Sequence, residues 1–476
     1  MKPRLNEDWL AVWLGLFLFA LSLATFFGMD VLGWAVTTKI WTDPVHALAP
    51  ASKTYAALSG LMSLLATYVF LLVLMTLGAR ALRLDLKRFI KGFTGVFAAA
   101  YLAWFLGSWA YIAATPDKRA GFHIGWSLNL TNEAGFIVAL IVGLIIGNFL
   151  PGVAARMKEA IRPELYIKTA IVILGGFLGI TAAEQLGLAT SVMFRGLCAI
   201  IEAYLIYWAL VYFVARRYFK FSREWAAPLA SGISICGVSA AIATGSAIRA
   251  RPVVPVMVSS LVVIFAVIEL LFLPFLAQTF LSHQPMVAGA WMGLAVKTDG
   301  AAVTSGAVTD ALIRAKAAAL YGIHYKPGWI MGVSTTVKVF IDIFIGIWAF
   351  VLAWIWSAKI NPKQGEKVRA VEIWQRFPKF VLGYIATFAI ILGIGLLAPA
   401  LVPKAKAAMA QANVFRGIFF VMTFFTIGVV SDFRKLWQEG IAKLALVYIL
   451  CLFGFIVWIG LAISWLFFYG VKPPVA

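Results

Sequence analysis

Apolar runs of about twenty residues follow one another along the whole chain, parted by short polar and often basic segments. A bilayer hydrocarbon core about 30 Å thick takes roughly twenty helical residues to cross. On that measure the pattern predicts thirteen transmembrane helices, at about 8–28, 53–79, 89–113, 131–151, 164–187, 190–215, 223–248, 252–282, 286–320, 328–357, 377–399, 411–433 and 441–469. The longest polar interval, "SAKINPKQGEKVRAVEIWQRFPK", is too short for a sizeable soluble domain. The first run, "NEDWLAVWLGLFLFALSLATFFG", lacks a small-residue cleavage site followed by a polar mature chain. It is expected to be a retained span and not a signal peptide.

Two of these spans depart from the lipid-facing pattern. "SGISICGVSAAIATGSAI", residues 231–248, is made largely of Gly, Ser, Ala and Thr. Small residues in a membrane serve close helix packing, as "GLIIG" at 143–147 and "GFLG" at 176–179 would. They also serve discontinuous helices, whose freed amides and hydroxyls line a binding cavity. Both readings fit 231–248, and a break near Cys236–Gly237 is expected on the second. The span at 286–320 is too long: as one helix it would measure roughly 52 Å, and it contains "KTDG". A break near Asp299–Gly300 resolves this.

The chain has 476 residues, 63% of them hydrophobic, with a mean hydropathy of +0.94. This composition is far from that of soluble domains. The net charge of +20 is carried mainly in short loops, where it sets orientation, so no nucleic-acid partner is expected. "RALRLDLKRFIK", "RMKEAIR", "RRYFKFSR", the long polar interval and "RKLWQEGIAK" all fall on the side of the N-terminus. The positive-inside rule makes that side cytoplasmic and puts the C-terminus outside. "RAR" at 249–251, Arg314 and Lys316 break the rule, so either the count slips there or those residues serve something else. Cys198, Cys236 and Cys451 lie within spans, and neither a disulfide framework nor zinc spacing is present. The four histidines are scattered, so no metal and no cofactor are expected. Neither a Walker-type GxxxxGK[ST] nor an HExxH occurs, and the chain is not expected to be an enzyme.

Deep charges mark candidate sites, because a charge in mid-membrane costs from a few to more than ten kcal/mol. In "MGLAVKTDGAAVTSGAVTDALIRAK", Lys297 and Asp299 sit among Thr298, Thr304 and Ser305. They are either a structural ion pair at a helix break or part of a binding site. In "TTVKVFIDIF", Lys338 and Asp342 share a helix face and can neutralise each other. Lys168, Arg195, Glu202, Glu269 and Arg416 are further intramembrane charges. "FTIGVVSD", with Gly428 between Thr426 and Ser431, echoes the Gly/Ser stretch. If spans 4–8 and 9–13 are two units of five, both stretches are fourth spans, and the odd number makes the units inverted.

"SGISICGVSAAIAT" resembles the signature of the sulfate exporter family of bacterial membrane proteins, which belongs with the bile acid, arsenite and riboflavin transporter superfamily. "AGFIVALIVGLIIGN", "ELYIKTAIVILGGFLGI", "GLAVKTDGAAVTSGAV" and "FTIGVVSDFRKL" follow in the family's order, so the resemblance covers roughly 130–470. It implies two inverted five-helix repeats that cross at broken helices in the fourth span of each. Many members carry His followed by an acidic residue where this chain has Lys297 and Thr298, with Asp299 one place later. A fixed positive charge at Lys297 suits an anion.

The expected architecture is all-α and polytopic: three N-terminal helices in 1–130, a first repeat in 131–283 and a second in 284–476. The expected function is secondary active transport of a small anion across the bacterial inner membrane by alternating access, with sulfate or an organic sulfonate or carboxylate as candidates. Substrate contacts are assigned to Ser234, Cys236, Gly237, Ser239, Thr244, Lys297, Thr298, Thr304 and Ser305, and the coupling proton or Na+ to Asp299 and Asp342. The other partner is the lipid bilayer, and a homodimer is compatible with the sequence. A cation/proton exchanger built on the buried Asp residues and a non-transporting membrane sensor or scaffold remain open alternatives.

Overall fold

The computed structural model describes residues 6–114, 118–128, 130, 134–184, 186–251, 253–356, 360, 378–431 and 442–475. Among them, ten helices are long and apolar enough to cross a membrane, or eleven if a pair bent by 111° at Leu150 counts as one span. Two further segments expected to span, 223–248 and 286–320, are broken. The described chain forms two compact units interleaved in sequence.

The first unit holds Met1–Leu188, Arg314–His324 and Lys379–Val430. Its main helices are α1 (Glu7–Ser22), α2 (Gly60–Ala81), α3 (Leu86–Gly107), α4 (Ala134–Phe149) and α5 (Pro163–Glu184). Between α1 and α2 lies a small antiparallel pair, β1 (Val36–Thr38) and β2 (Leu48–Pro50), which the pattern of apolar runs does not predict. Glycine governs the packing of α4: a Cβ at Gly143 or Gly147 would strike the carbonyls of Phe425 or Val429. Lys168 pairs with Asp8 at 2.7 Å and Glu164 at 3.3 Å, which accounts for one of the deep charges structurally.

The second unit holds Ala189–Ile313, Tyr325–Pro378 and Ser431–Ala476. It is built on α6 (Leu186–Arg217), which carries a π-helical stretch over Glu202–Tyr207. Next come α7 (Arg223–Ser234) and α8 (Val238–Ala247), then α9 (Val253–Phe280), α10 (Pro285–Ala295) and α11 (Asp299–Tyr321). α12 (Trp329–Ile355), α13 (Phe380–Leu397), α14 (Pro399–Val430) and α15 (Ala442–Phe468) complete the chain; α13 and α14 belong to the first unit.

The expected break in 231–248 is present, and the chain turns back there. The turn occupies Ile235–Gly237, and Gly237 has φ +71°. Thr244 Oγ1 donates to Ser231 Oγ at 2.7 Å. A Cβ on Gly232 would lie 3.5 Å from that of Ala241. At the base Arg251 Nε meets Glu224 Oε1 at 3.0 Å. α7 and α8 are therefore an antiparallel hairpin and not a crossing span. Arg249–Arg251 thus lie at the same end as Arg216–Arg223, and the count slips here in the way the basic residues implied.

The second break falls at Val296–Thr298, just before the expected Asp299–Gly300. It too is a reversal. α10 runs parallel to α12, since Gly289 abuts Ile330 and Gly293 abuts Ser334 and Val337. α11 runs the other way: Ser334 Oγ donates to Ala302 O at 2.8 Å, and Ile330 N donates to Asp310 Oδ1 at 3.0 Å. This second hairpin starts beyond the far end of α9. The first ends where α9 begins, with Val254 N donating to Arg251 O at 3.0 Å. The two hairpins therefore enter from opposite ends of α9. The arms of 10 and 11 residues (α8 and α10) measure roughly 15 Å each, about half a hydrocarbon core. Tips entering from opposite ends can meet midway.

Among the described residues, the break implied at the fourth span of the second repeat is absent. α14 continues through Gly428 to Val430. The rest of "SDFRKL" beyond Ser431 lies outside the described residues, as does most of the polar interval at 357–377.

Candidate functional site

The two tips meet at Lys338. Its Nζ donates to Ile235 O in the first tip at 2.7 Å and to Lys297 O in the second at 3.3 Å. It also lies 3.8 Å from Asp299 Oδ1. A reversal in mid-membrane leaves carbonyls that no helix partner satisfies, at several kcal/mol each. One buried ammonium serves both tips. Gly237 lets them approach: a Cβ there would strike Val262, come 3.1 Å from Lys297 O and 3.3 Å from Thr298 Cγ2.

Around this crossing the chain gathers acidic and soft groups. The Sγ of Cys236 and carboxylate oxygens of Asp299 and Asp342 all lie within 4.8 Å of one another. Asp342 is one turn beyond Lys338, and both are about 1% exposed. Thr298 caps α11, its Oγ1 accepting from Ala301 N at 3.1 Å. Asp299 is the first residue of that helix, where a carboxylate is favoured by the N-terminal dipole. Ser234 Oγ, in the last turn before the first tip, is buried without a hydrogen-bond partner.

Of the residues expected from sequence, Cys236, Gly237, Thr298, Asp299 and Asp342 converge here, together with the backbone of Lys297. The Lys297 side chain turns elsewhere: its Nζ donates to Leu294 O and sits 4.4 Å from the centre of the Tyr207 ring. Thr304 and Ser305 donate to carbonyls of their own helix, at Gly300 and Ala302. Thr244 ties the arms of the first hairpin together. Ser239 lies in α8, but its side chain falls outside the described residues. Sequence reasoning passed over Lys338 because Asp342, four residues away, offered a local partner. Its true reach, 103 positions back to Ile235, leaves no periodic signal.

The family model described as Conserved hypothetical protein 698 matches residues 122–447. A UPF0324 membrane protein of Nitrosomonas europaea is 43% identical over 474 residues, covering 99% of this chain and 97% of that protein. An uncharacterized protein of Archaeoglobus fulgidus is 50% identical over 170 residues, 31% of this chain and 91% of that one. A UPF0324 membrane protein of Streptococcus agalactiae is 23% identical over 372 residues, 78% of this chain and 96% of that one. No solved structure matches.

Proposed function

The chain belongs to the UPF0324 family of membrane proteins, the family of Conserved hypothetical protein 698, and on that premise we propose that it is a proton-coupled secondary transporter of a small anion. The observation that carries the reading is Lys338, buried where the tips of two opposed hairpins meet and bonded to both. Irregular backbone at membrane depth is tolerated where it lines a cavity or is held by protein, and transporters bind substrate at such breaks.

The charge count supplies the coupling. With Asp299 and Asp342 ionised, Lys338 faces two carboxylates and the crossing repels an anion. A proton on either carboxylate loosens the hold on Lys338, whose ammonium then pairs with an anion. The anion and the proton therefore bind together, and access from the two sides alternates around the occupied crossing. Sulfate, a short sulfonate or a short carboxylate fits one ammonium and the hydroxyls beside it. Lys338 replaces Lys297 as the charge that meets substrate. In this proposal the protein lies in a bacterial inner membrane with a cytoplasmic N-terminus and an external C-terminus. It catalyses no covalent reaction. The hairpins entering from opposite ends of α9 support an inverted arrangement of two broken segments, with the second in the first span of the expected second repeat and not in its fourth. Kinship with the bile acid, arsenite and riboflavin transporters rests on the sequence resemblance.

One observation favours a second reading. The Cys236, Asp299 and Asp342 ligand atoms are close enough to hold a cation, as a cation/proton exchanger requires. Uptake of radiolabelled sulfate, methanesulfonate and acetate into proteoliposomes, driven by an imposed pH gradient, separates the two. Anion uptake that follows the gradient and survives replacement of Na+ and K+ by choline supports the first. Cation-dependent proton movement without anion uptake supports the second. For topology, cysteines placed at Arg223 and Arg249 should both label from the cytoplasmic face; labelling from opposite faces overturns the hairpin.

A further inference from the structure

A second buried polar cluster lies on the far side of Lys297 from the crossing. Glu202 and Glu269 are 0% exposed. Oε1 of Glu269 lacks a hydrogen-bond partner, as do the hydroxyls of Tyr448 and Ser464, and the polar group beside the Glu202 carboxyl is the Tyr207 hydroxyl. Glu269 is deep within the 28-residue α9, and Glu202 opens the π-helical stretch of α6. Such stretches inside α-helices frequently mark functional sites. Glu202 lies beside Tyr207 and within electrostatic reach of Lys297 and Cys198. Glu269 meets the backbone of Lys297 and lies within electrostatic reach of Lys338 and Tyr448. Tyr207 Oη and Glu202 Oε1 both abut Gly460 of α15, whose Cβ would meet them at 2.7 and 3.5 Å. Tyr207 gives its own proton to Ile456 O at 2.9 Å.

The charges of this cluster do not balance. Lys297 is one ammonium beside two buried carboxyl groups, while Lys338 is held by the crossing. An uncompensated carboxylate at this depth is too costly to keep where, unlike Asp299, it has no helix N-terminus to hold it. A metal cation would close the balance only by sitting against the Lys297 ammonium, which repels it. A proton closes it at no such cost. We infer that the cluster of Glu202, Lys297 and Glu269 holds one exchangeable proton between its two carboxyl groups, forming a proton site separate from the hairpin crossing.

This deepens the transport reading and rests on it for its purpose, because Lys297 joins the two places. Its N–H donates to Glu269 Oε2 at 3.0 Å, and its carbonyl accepts from Lys338 at 3.3 Å. A carboxylate accepts the amide hydrogen bond more strongly than a carboxylic acid does. Loading or unloading the proton on Glu269 therefore changes the hold on the residue whose carbonyl forms the second tip. The shared proton is one residue away from the anion site without occupying it.

The test is difference infrared spectroscopy of the purified full chain in lipid, stepped from acid to alkaline pH, reading the carbonyl stretch of protonated carboxyl groups. The wild type should keep one such carboxyl per chain at neutral pH. Glu202→Gln and Glu269→Gln should each lose it, because Lys297 then balances the single carboxylate left. Lys297→Met should double it, because both carboxyl groups then need protons. If a Gln variant fails to fold, the doubling decides alone. Absence of the band in the wild type overturns the inference. So does its survival in both Gln variants, which would assign it to Asp299 or Asp342. Loss of the band when Na+ replaces choline at fixed pH also overturns it, in favour of a cation site. The measurement needs no substrate. A failure of anion flux with the band intact therefore overturns the transport reading alone, and loss of the band with flux intact overturns the shared proton alone.

Discussion

Two glycine-centred stretches, "SICGVS" around Gly237 and "FTIGVVS" around Gly428, look alike in sequence and do opposite things. At Gly428, α14 stays helical and comes against α4; a Cβ there would strike Leu140 O and lie 2.7 Å from Leu144 N. At Gly237 the backbone takes a left-handed turn and the chain reverses. Helices around both are flanked by small polar residues, so composition does not separate them. What separates them is a donor elsewhere in the chain. A reversal exposes carbonyls, and Lys338 takes up those of both tips. Gly428 sits in an unbroken helix that leaves none to take up. Whether a small-residue stretch packs or breaks is thus decided by a buried partner about a hundred positions away.

The sharpest way to break this comparison is to remove the donor. Lys338→Met leaves Asp299, Asp342 and two tip carbonyls facing each other without their ammonium. Breaking one side of a buried ion pair costs about 3–5 kcal/mol. Anion uptake in proteoliposomes should vanish and the thermal midpoint in detergent should fall by many degrees. Addition of acid should recover part of the stability, since protonated carboxyl groups no longer need the ammonium. Wild-type flux in this variant would sink the assignment of the crossing.

Next in size is the exchange of one methyl group at the two glycines. Gly237→Ala forces a side chain into a left-handed conformation at roughly 1–2 kcal/mol and pushes Val262 and the second tip aside. It should abolish uptake and raise amide exchange at 235–237 and 296–298. Gly428→Ala overpacks α4 against α14 at about 1–3 kcal/mol, and exchange at the tips should stay unchanged. Tip exchange that rises equally in both variants would mean the two stretches are not distinct.

How far the sequence carried can be judged from the same residues. The apolar spans other than 223–248 and 286–320, the break at Cys236–Gly237 and a break beside Asp299 were legible, because apolar length and local composition encode them. "RAR" at 249–251 left open whether the count slips or those residues serve something else, and the hairpin decides for the slip: Glu224 and Arg251 meet at its base. The pairing of Lys338 with Ile235, the turning of Lys297 away from the crossing and the approach of Glu202 and Glu269 to Lys297 were not legible. Each depends on which of several deep charges face one another, and helical periodicity ranks only neighbours three or four positions apart. β1 and β2 were missed because strands of three residues give no alternation to read.

The smallest effect belongs to the base of the first hairpin, and it probes the reversal itself without touching the tip. Glu224 accepts from both the backbone N–H and the guanidinium of Arg251, at 2.7 and 3.0 Å. These bonds, the backbone one first, hold its carboxyl below the ordinary glutamate range. A depressed carboxyl stabilises the fold above its unfolded value and loses that contribution as the pH falls through its folded value. Arg251 is 66% exposed, so screening keeps the pair within about 1 kcal/mol. Glu224→Gln should therefore lower the thermal midpoint slightly at neutral pH. The gap to wild type should close as the pH drops below the ordinary glutamate range, where wild type loses the same charge. High salt should narrow it as well. A gap that persists unchanged in acid would show that Glu224 acts through packing and not through charge. No gap at any pH would mean that the base of the hairpin is held by Ala227 against Ala247 and Ile248, with the ion pair contributing nothing measurable.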